Sequence, residues 1–397
     1  MIRRTYLYVI SILAATGLVI WLLWPKAPQP LRASLIAEAA PLDASGFTRV
    51  HEPAAGRSAL IFPADHGPHP DYQTEWWYFT GNLTTAAGEH FGYQLTFFRR
   101  GLVAPDQRVP RTSAWATDQI YMAHFALTDV AGRDHYAFEK LARGAVGLAG
   151  AQAEPFRVWL KDWSVSALSF LSSSTSLDPL SLRASSTGTS LDLTLRARKA
   201  PILHGERGYS RKGPEPGNAS YYYSLTRIAT QGTVNVDGQA FTVDGWSWMD
   251  HEFSTSALGS AQVGWDWFSM QFDDGSELMI FQLRRSDGSV DAFSSGTFIA
   301  ADGTTRSLGA GDFSIQVTDR WRSPRTGGDY PAGWVLTAPD SGLRLVIEPW
   351  LADQEMALSY VYWEGAVRVT GTAGGPAVSG NGYVELTGYA GSIQGQF

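Results

Sequence analysis

The residues with the clearest chemical potential lie in one short segment, 245–253. If this segment is a β-strand, Trp246, Trp248, Asp250 and Glu252 share one face, because successive side chains of a strand point to opposite sides. A carboxyl against apolar rings has its charged form desolvated, so its pKa rises and it can act as a general acid near neutrality. We therefore expect acids in an aromatic-lined cavity. The alternative is a strand end with the indoles in a core and the acidic residues in solvent.

A second acidic and aromatic segment covers residues 72–79. The same alternation puts Glu75 and Trp77 on one face and Trp76 and Tyr78 on the other. Glu75 among these rings is a second candidate acid, and the three aromatic residues are candidate ligand contacts. The alternative for Glu75 is a buried carboxylate that accepts hydrogen bonds and closes the end of a barrel.

The C-terminal part of the chain carries a comparable set. Trp265 and Trp267 share a face, and Asp266 between them points the other way, which makes it a weaker candidate acid. Near the C-terminus, Tyr383 and Glu385 share a face. We expect the two tryptophans, Tyr383 and Glu385 to line the same kind of apolar site.

Two histidines are candidates for orienting a water molecule, His124 and His251. His124 lies in an apolar stretch and is alternatively a core histidine with satisfied hydrogen bonds. The loop sequence 65–69 contains metal-capable side chains, but its Gly-Pro context favours a plain loop, and we predict no metal and no organic cofactor. The absence of Cys excludes thiolate ligands and a Cys nucleophile, and no phosphate-binding or serine-hydrolase motif is present.

Strands are the elements that must position these residues. Period-2 alternation with Asp-Gly turns recurs along the chain, and long helical periodicity is hard to find. The chain is 13% aromatic and only 17% charged, with a net charge of −7. An acidic chain of this kind is not expected to bind nucleic acid. The composition favours an all-β protein that handles an apolar partner.

An internal duplication is suggested by two similar patterns. Gly-x-Val-x-Val-x-Gly occurs at 232–238 and at 365–371, and the aromatic runs 76–79 and 265–268 resemble each other. Two related β-domains in tandem explain both similarities, and this repeat makes Glu385 the counterpart of Trp248. We predict an N-terminal lipocalin-like domain at 56–257 and a C-terminal one at 258–397, each a β-barrel or sandwich.

The N-terminus has the pattern of one transmembrane helix. Residues 6–24 contain no charged side chain, follow two arginines, and are long enough to span a bilayer as a helix. We predict a signal anchor at 1–26, a linker at 27–55, and a folded part on the periplasmic side of the cytoplasmic membrane. A cleaved signal peptide, which would yield a secreted protein, is the alternative.

Several motifs together resemble the AttH/carotenoid 1,2-hydratase (CrtC-type) family, in its secreted or membrane-anchored branch called "predicted secreted hydrolase". The stretches that carry the resemblance are 75–83, 124–126, 208–214, 246–253, 264–268 and 382–386. The resemblance implies two lipocalin-like domains that enclose an apolar ligand site at or near their interface. Its relatives include hydratases of isoprenoid double bonds, but one fold supports several reactions.

Three functions follow from these residues. The first is hydration of a C=C bond in an apolar isoprenoid or lipid-like substrate, with a proton from Asp250, Glu252 or Glu75. The second is a lipocalin-like carrier that binds the same ligand at the outer face of the cytoplasmic membrane without altering it. The third is a secreted hydrolase. The sequence leaves the oligomeric state open.

Overall fold

The computed structural model describes residues 46–55, 57–168, 177–256 and 258–391. These residues form β-strands and three single-turn 3-10 helices, and no α-helix occurs among them. Within the same residues, no helix has the length and apolar character needed to cross a membrane. The predicted signal anchor at 1–26, with its membrane segment 6–24, lies outside the described part of the chain.

The strands belong to two sheets. The first sheet contains β1 (Thr74–Thr84), β2 (His90–Gly101), β3 (Gln119–Asp129), β4 (Asp134–Arg143), β5 (Ala149–Gln152), β6 (Arg157–Leu160), β7 (Trp163–Ala167), β8 (Leu180–Ser186), β9 (Thr189–Ala197), β10 (Ile202–Leu203), β11 (Tyr209–Arg211), β12 (Ala219–Val236) and β13 (Gln239–Ser254). The second contains β14 (Gln262–Phe272), β15 (Glu277–Arg285), β16 (Ser295–Ile299), β17 (Thr305–Gly309), β18 (Ser314–Arg322), β19 (Asp329–Ala338), β20 (Leu343–Pro349), β21 (Glu355–Ala357), β22 (Val361–Thr372) and β23 (Ala377–Leu386). The 3-10 helices are Ala64–His66, Pro105–Gln107 and Pro339–Ser341.

The first sheet has the order β4-β3-β2-β1-β13-β12-β9-β8-β7-β6-β5, with β10 and β11 paired to β12. It curls until its two ends meet. The rings of Phe125 on β3 and Trp163 on β7 are 5.7 Å apart, and Lys140 Nζ on β4 lies 4.4 Å from the Trp163 ring centre. The sheet is therefore a nearly closed barrel, and its apolar core fills the interior.

The second sheet has the order β17-β16-β15-β14-β23-β22-β20-β19-β18, with β21 paired to β22. It is a half-barrel around its own apolar cluster. The all-β prediction is confirmed, but the second sheet is more open than the closed barrel or sandwich that we expected. It has fewer strands than the first sheet, which leaves a shorter circumference.

The two sheets share one strand order. Five consecutive strands of the first sheet, β2-β1-β13-β12-β9, correspond in order to five of the second, β15-β14-β23-β22-β20. The register matches too, since Gly245 pairs with Leu83 and Gly380 pairs with Phe272. Each glycine allows close packing at the same place, because an added Cβ would lie 2.2 Å or 2.1 Å from a backbone oxygen of the neighbouring strand. The duplication predicted from the sequence is present in the topology.

The strand pairing corrects our sequence-based assignment of which residues are equivalent in the two repeats. Gly232 pairs with Val243 and Gly371 pairs with Val378, so these two glycines are equivalent, and the Gly-Val repeat that suggested the duplication is misaligned by six residues. The aromatic runs were matched correctly, because Trp76 and Trp265 lie seven residues before Leu83 and Phe272. Glycine-rich strand sequences can be aligned with one another in several registers. The hydrogen-bonded pairing of the strands in the structure selects one of these registers.

The outer faces of the two sheets pack against each other. One apolar cluster contains Tyr78 and Trp248 from the first sheet together with Trp267 and Phe281 from the second. Direct hydrogen bonds also cross the interface, such as Asn82 Nδ2 to the carbonyl oxygen of Gly382 at 2.9 Å. Alternate residues of the central strands therefore face either a sheet interior or the interface.

The first sheet ends at Ser254 and the second begins at Gln262, on either side of the boundary that we predicted near 257. Residues 46–55, assigned to a linker, include the buried side chains of Phe47 and Val50. The domain limits themselves stay a prediction.

Candidate active site

A cavity opens between the two sheets, with an empty volume of about 820 Å³ that includes open solvent at its mouth. Both sheets contribute to its wall through their central strands. The lining residues are Trp76, Tyr78, Thr96, Phe98, Lys212, Tyr222, Asp250, Glu252, Ser256, Leu258, Trp265, Trp267, Phe281, Leu283 and Glu385. Aromatic and aliphatic groups dominate, and three carboxyls interrupt them. Such a lining suits an apolar ligand that meets a few fixed polar groups.

Asp250 on β13 is the carboxyl of the first sheet at this wall. The Tyr222 hydroxyl donates to its Oδ2 at 2.7 Å, the indole Nε1 of Trp248 donates to its Oδ1 at 2.6 Å, and the Ser224 hydroxyl also contacts Oδ1. Burial raises the pKa of Asp250 to about 7, against the opposing effect of these hydrogen bonds, and the charge of Glu252 adds to the rise. Near neutral pH this carboxyl is therefore partly protonated.

Glu385 on β23 is the equivalent carboxyl of the second sheet. Asp250 pairs with Tyr78 on β1, and Glu385 pairs with Trp267 on β14, at matching positions of the two repeats. The sequence comparison had matched Glu385 with Trp248, which is wrong by two residues. The indole Nε1 of Trp265 donates to Glu385 Oε2 at 2.8 Å. Burial raises the pKa of Glu385 to about 7, and the negative charges of Asp250 and Glu252 contribute.

Another carboxyl, Glu364, lies behind this wall. It is the cross-strand neighbour of Glu385 and accepts a hydrogen bond of 2.8 Å from the Tyr78 hydroxyl at Oε2. Burial and the charge of Glu385 raise the pKa of Glu364 well above its ordinary value. The raised pKa favours the neutral form of Glu364, and its closeness to Glu385 makes ionisation of both unfavourable.

The third carboxyl of the wall, Glu252, is paired with the cation of the cavity lining. Lys212 Nζ lies 3.1 Å from Glu252 Oε1 and 3.9 Å from the ring centre of Phe281. This pairing gives Glu252 a partner of opposite charge, which Asp250 and Glu385 lack. This ion pair makes Glu252 a weaker candidate for the proton donor than Asp250.

The opposite face of the same strands carries a different acidic group, inside the first barrel. Glu75 accepts from Arg99 Nε at 2.7 Å, His69 Nδ1 at 2.8 Å and His251 Nε2 at 2.9 Å. His69 Nε2 in turn lies 3.2 Å from Asp65 Oδ1. Although burial opposes it, the charge of Arg99 and the hydrogen bonds hold the pKa of Glu75 well below its ordinary value. Glu75 is thus an ionised group with saturated hydrogen bonding, as in the barrel-closing alternative.

The same three residues, His69, Glu75 and His251, are the described residues whose ligand atoms converge closely enough for a metal ion, within 4.8 Å of one another. Their present partners favour an ion network instead. Arg99 occupies one oxygen of Glu75, and the neighbouring carboxylates raise the pKa of His69 to about 9, against the effect of burial. A protonated imidazole cannot ligate a metal. The prediction of no metal site stays a prediction.

Neither candidate histidine lines the cavity. His124 Nδ1 lies 2.6 Å from the Tyr362 hydroxyl, and its Nε2 lies 3.0 Å from Glu139 Oε2, which is the satisfied core histidine of the alternative reading. His251 points into the first barrel toward Glu75. Both were expected to orient water at the apolar site. For His251 the reason is the strand alternation itself, since its neighbours Asp250 and Glu252 face outward.

The aromatic residues that we predicted as ligand contacts lie on different faces of their strands, and only some of them line the cavity. Trp76, Tyr78, Trp265 and Trp267 line the cavity. Trp248 and Tyr383 are buried in the interface beside it. Trp77, in contrast, lies in the interior of the first barrel, stacked 4.8 Å from His251, so its predicted place in the cavity wall is corrected. Trp246 is 40% exposed beyond the cavity, with the Arg227 guanidinium over its ring.

Sequence reasoning missed Tyr222 and Ser224, which hold Asp250 from the neighbouring strand β12, and Lys212 in the wall. The alternation in 220–224 puts Tyr222 and Ser224 on one face and was readable. What the sequence did not contain is the cross-strand pairing of Tyr222 with Glu252 and Ser224 with Asp250. Ser224 and Asp250 are 26 positions apart in the chain, and only the hairpin brings them together.

Fold and site together define a class: a two-sheet, lipocalin-like β protein with an acid-bearing aromatic cavity between its sheets. The family model described as AttH-like matches residues 53–389. The chain belongs to the AttH-like family. The match covers both sheets and every residue of the cavity wall.

Solved structures extend this comparison. A candidate AttH protein from Nitrosomonas europaea is 35% identical, with a TM-score of 0.74 over 86% of this chain and 99% of that one. Kievitone hydratase from Nectria haematococca is 16% identical, with a TM-score of 0.63 over 87% and 98%. CghA, solved with Sch210972, is 13% identical, with a TM-score of 0.52 over 84% and 95%. The last two similarities concern the fold. A search of the curated proteins found no match.

Proposed function

We propose that this protein is a hydratase-like enzyme that adds water to a C=C bond of an apolar, isoprenoid or lipid-like substrate held between its sheets. The observation that carries the proposal is Asp250, a carboxyl at the wall of an aromatic cavity with a pKa of about 7. Such a group can donate a proton at neutral pH. Membership of the AttH-like family and the shared fold with kievitone hydratase support the reaction class.

The proposed reaction has two proton transfers. Asp250 donates its proton to one alkene carbon, and the π electrons form the new C–H bond. The carbocation left on the other carbon lies against indole rings such as Trp76 and Trp265, where a cation gains about 0.5–2 kcal/mol. Water adds to this carbon through its oxygen, and Glu385 accepts the proton that the water loses. Glu385 then releases the proton that it gained to solvent and Asp250 takes one up, so the substrate has gained one water and both carboxyls return to their starting states.

The electrostatic interaction between Asp250 and Glu385 suits them to act as acid and base, respectively. Each has a pKa of about 7, and the charge of Asp250 raises the pKa of Glu385. When two carboxyls interact, the first loses its proton more easily than the second. Over the pH range between the two steps the pair holds one proton. One carboxyl is then available as acid and the other as base, as the reaction requires.

A carrier function is the second candidate. The mostly apolar lining, which could hold a ligand without chemistry, favours it. Hydrolysis has less support. Ser224 is buried behind the wall, and Ser256, which lines the cavity, donates its hydroxyl to Asn218 at 3.1 Å instead of pairing with a histidine. For either function we propose that residues 6–24 hold the protein at the outer face of the cytoplasmic membrane, close to apolar ligands.

The test is a product assay with the full-length chain and two apolar alkenes, lycopene and squalene. We expect a product heavier by one water. Asp250→Asn should reduce its rate at least about 100-fold, because a positioned general acid contributes about 10²–10⁴-fold. Asp192→Asn, at an exposed ion pair with Arg183, is the control that should keep full activity. A wild-type protein that retains either alkene unchanged would argue for the carrier, and full activity of Asp250→Asn would exclude the proposed acid.

A further inference from the structure

A buried hydrogen-bonded chain leads from Asp250 to the second sheet through residues outside the cavity wall. Ser224 Oγ contacts Asp250 Oδ1, and it also lies 2.6 Å from His204 Nε2. His204 Nδ1 lies 2.9 Å from Thr297 Oγ1 on β16. Ser224, His204 and Thr297 are almost completely shielded from solvent. The chain therefore joins the candidate acid of the first sheet to a hydroxyl of the second.

The immediate partners of Asp250 create a difficulty for an acid. Trp248 Nε1 is a donor only, and the Tyr222 hydroxyl accepts from Trp267 Nε1 at 3.1 Å while it donates to Asp250. Partners that only donate stabilise the carboxylate, whereas a protonated carboxyl needs an acceptor. Ser224 is the neighbour that can turn from donor to acceptor and still keep a partner for its own hydrogen, because His204 lies beyond it.

His204 is suited to this exchange because it stays neutral. Burial lowers the pKa of His204 to about 3, and the ammonium of Lys212 adds to the effect. A neutral imidazole has one donor and one acceptor nitrogen, and the two can exchange roles. With the proton on Nε2, His204 donates to Ser224, which donates to the carboxylate. With the proton on Nδ1, His204 donates to Thr297 and accepts from Ser224, which accepts from the protonated carboxyl.

We propose that His204, acting through Ser224 and held by Thr297, is a positioning residue that reverses its hydrogen bonds as Asp250 gains or loses its proton. Asp250 then keeps a hydrogen-bond partner at Ser224 in both of its protonation states, and no charge moves beyond Asp250. Thr297 gives the second sheet a direct influence on the acid of the first. The inference rests on the proposed role of Asp250, but its test does not require activity.

Other charged groups also face Asp250, and the test must leave them unchanged. They are Glu252 on the same strand and Glu385 on β23, while Lys212 is held by Glu252. The substitutions therefore fall on neutral members of the chain. Thr297→Val keeps the shape of the side chain and removes the hydroxyl, and Ser224→Ala removes the link next to the acid.

The measurement is the infrared carboxyl band of the full-length chain as a function of pH, identified as the band that Asp250→Asn removes. Thr297→Val should lower its titration midpoint by about one pH unit, because an Nδ1–H without a partner is unfavourable and the proton moves to Nε2, which favours the carboxylate. Ser224→Ala should raise the midpoint, since it removes a donor to the carboxylate. The double variant should titrate like Ser224→Ala alone, because the link is then broken.

Thr80→Val is the matched control, since Thr80 is a buried strand threonine whose hydroxyl has no hydrogen-bond partner. It should leave the midpoint unchanged. An unchanged midpoint in Thr297→Val, or additive effects in the double variant, would overturn the inference. If the midpoints move as expected but no alkene is hydrated, the hydrogen-bonded chain is real and the proposed function fails.

Discussion

Two acidic groups on neighbouring strands of the first sheet differ in a way that burial alone does not explain. Asp250 on β13 faces the interface, and its pKa is raised to about 7. Glu75 on β1 faces the barrel interior, and its pKa is held well below the ordinary value. Both carboxyls are removed from solvent, which by itself raises the pKa of each. The difference must come from their partners.

The partners differ in charge. Glu75 is surrounded by the guanidinium of Arg99 and the imidazoles of His69 and His251. Asp250 receives hydrogen bonds from neutral groups, and the negative charge of Glu252 adds to the rise of its pKa. A buried carboxyl beside a cation stays ionised and forms a structural ion pair. A buried carboxyl among neutral donors has a raised pKa and can act as a proton donor. Charge at the partner, more than depth, separates a structural acid from a chemical one.

The largest expected difference between the two groups is in stability. Glu75→Gln leaves the guanidinium of Arg99 buried without its partner, and we expect the free energy of unfolding to fall by about 3–5 kcal/mol. Asp250→Asn removes a group that is already partly neutral, and we expect a loss below about 1.5 kcal/mol. Urea unfolding of the two variants at neutral pH measures both values. Equal losses would show that the two environments are energetically alike.

The pH dependence of stability should have opposite signs for the two groups. The pKa of Asp250 is raised from 3.8 to about 7, so its contribution to stability is fully present below the unfolded value and is lost as the pH rises through about 7. The loss is at most about 1.4 kcal/mol per pH unit in that window. Asp250→Asn should therefore gain stability relative to the wild type between pH 3.8 and pH 7.

For Glu75, whose pKa is lowered, the contribution is present above the unfolded value of 4.5 and is lost as the pH falls through the folded value. Glu75→Gln should therefore lose less relative to the wild type as the pH falls below 4.5. Urea unfolding of both variants and the wild type over a pH series measures these differences. Parallel stability curves for Asp250→Asn and the wild type would contradict the raised pKa.

A smaller effect tests whether the equivalent acid Glu385 behaves like Asp250. Trp265→Phe keeps an aromatic wall but removes the indole donor to Glu385, whose hydrogen bond lowers the pKa of that carboxyl. We expect the infrared titration midpoint of Glu385 to rise by about one pH unit or less. Trp246→Phe, at the exposed tryptophan outside the cavity, is the control. A midpoint that falls, or that moves equally in the control, would remove the parallel between the repeats.

The smallest expected effect concerns metal ions at the Glu75 group. His69, with a pKa of about 9, is protonated at pH 7, and Arg99 adds a second positive charge beside the same carboxylate. We expect Zn²⁺ to leave the melting temperature at neutral pH unchanged, because bound metal would have to displace a proton and a guanidinium. A rise in melting temperature with Zn²⁺ that disappears in His69→Gln would identify a metal site there and overturn the ion-network interpretation.

Much of the fold could be predicted from the sequence, because alternate residues of a β-strand point to opposite faces and differ in polarity accordingly. The alternation correctly separated Trp76 from Trp77 and Asp250 from His251. It could not say which face meets the cavity, since both faces of the central strands are buried. For that reason Trp77, His124 and His251 were assigned to a site that they do not line.

The sequence by itself determined an all-β chain, an internal duplication and the concentration of acids beside aromatic residues, because these depend on residue type and local period. Only the tertiary structure decided that Asp250 and Glu385 are equivalent, that their pKa values are raised, and that Glu75 is held ionised by Arg99. Pairing register and the charge of a distant partner arise from contacts across the sheets, and neither is contained in the spacing of residues along the chain.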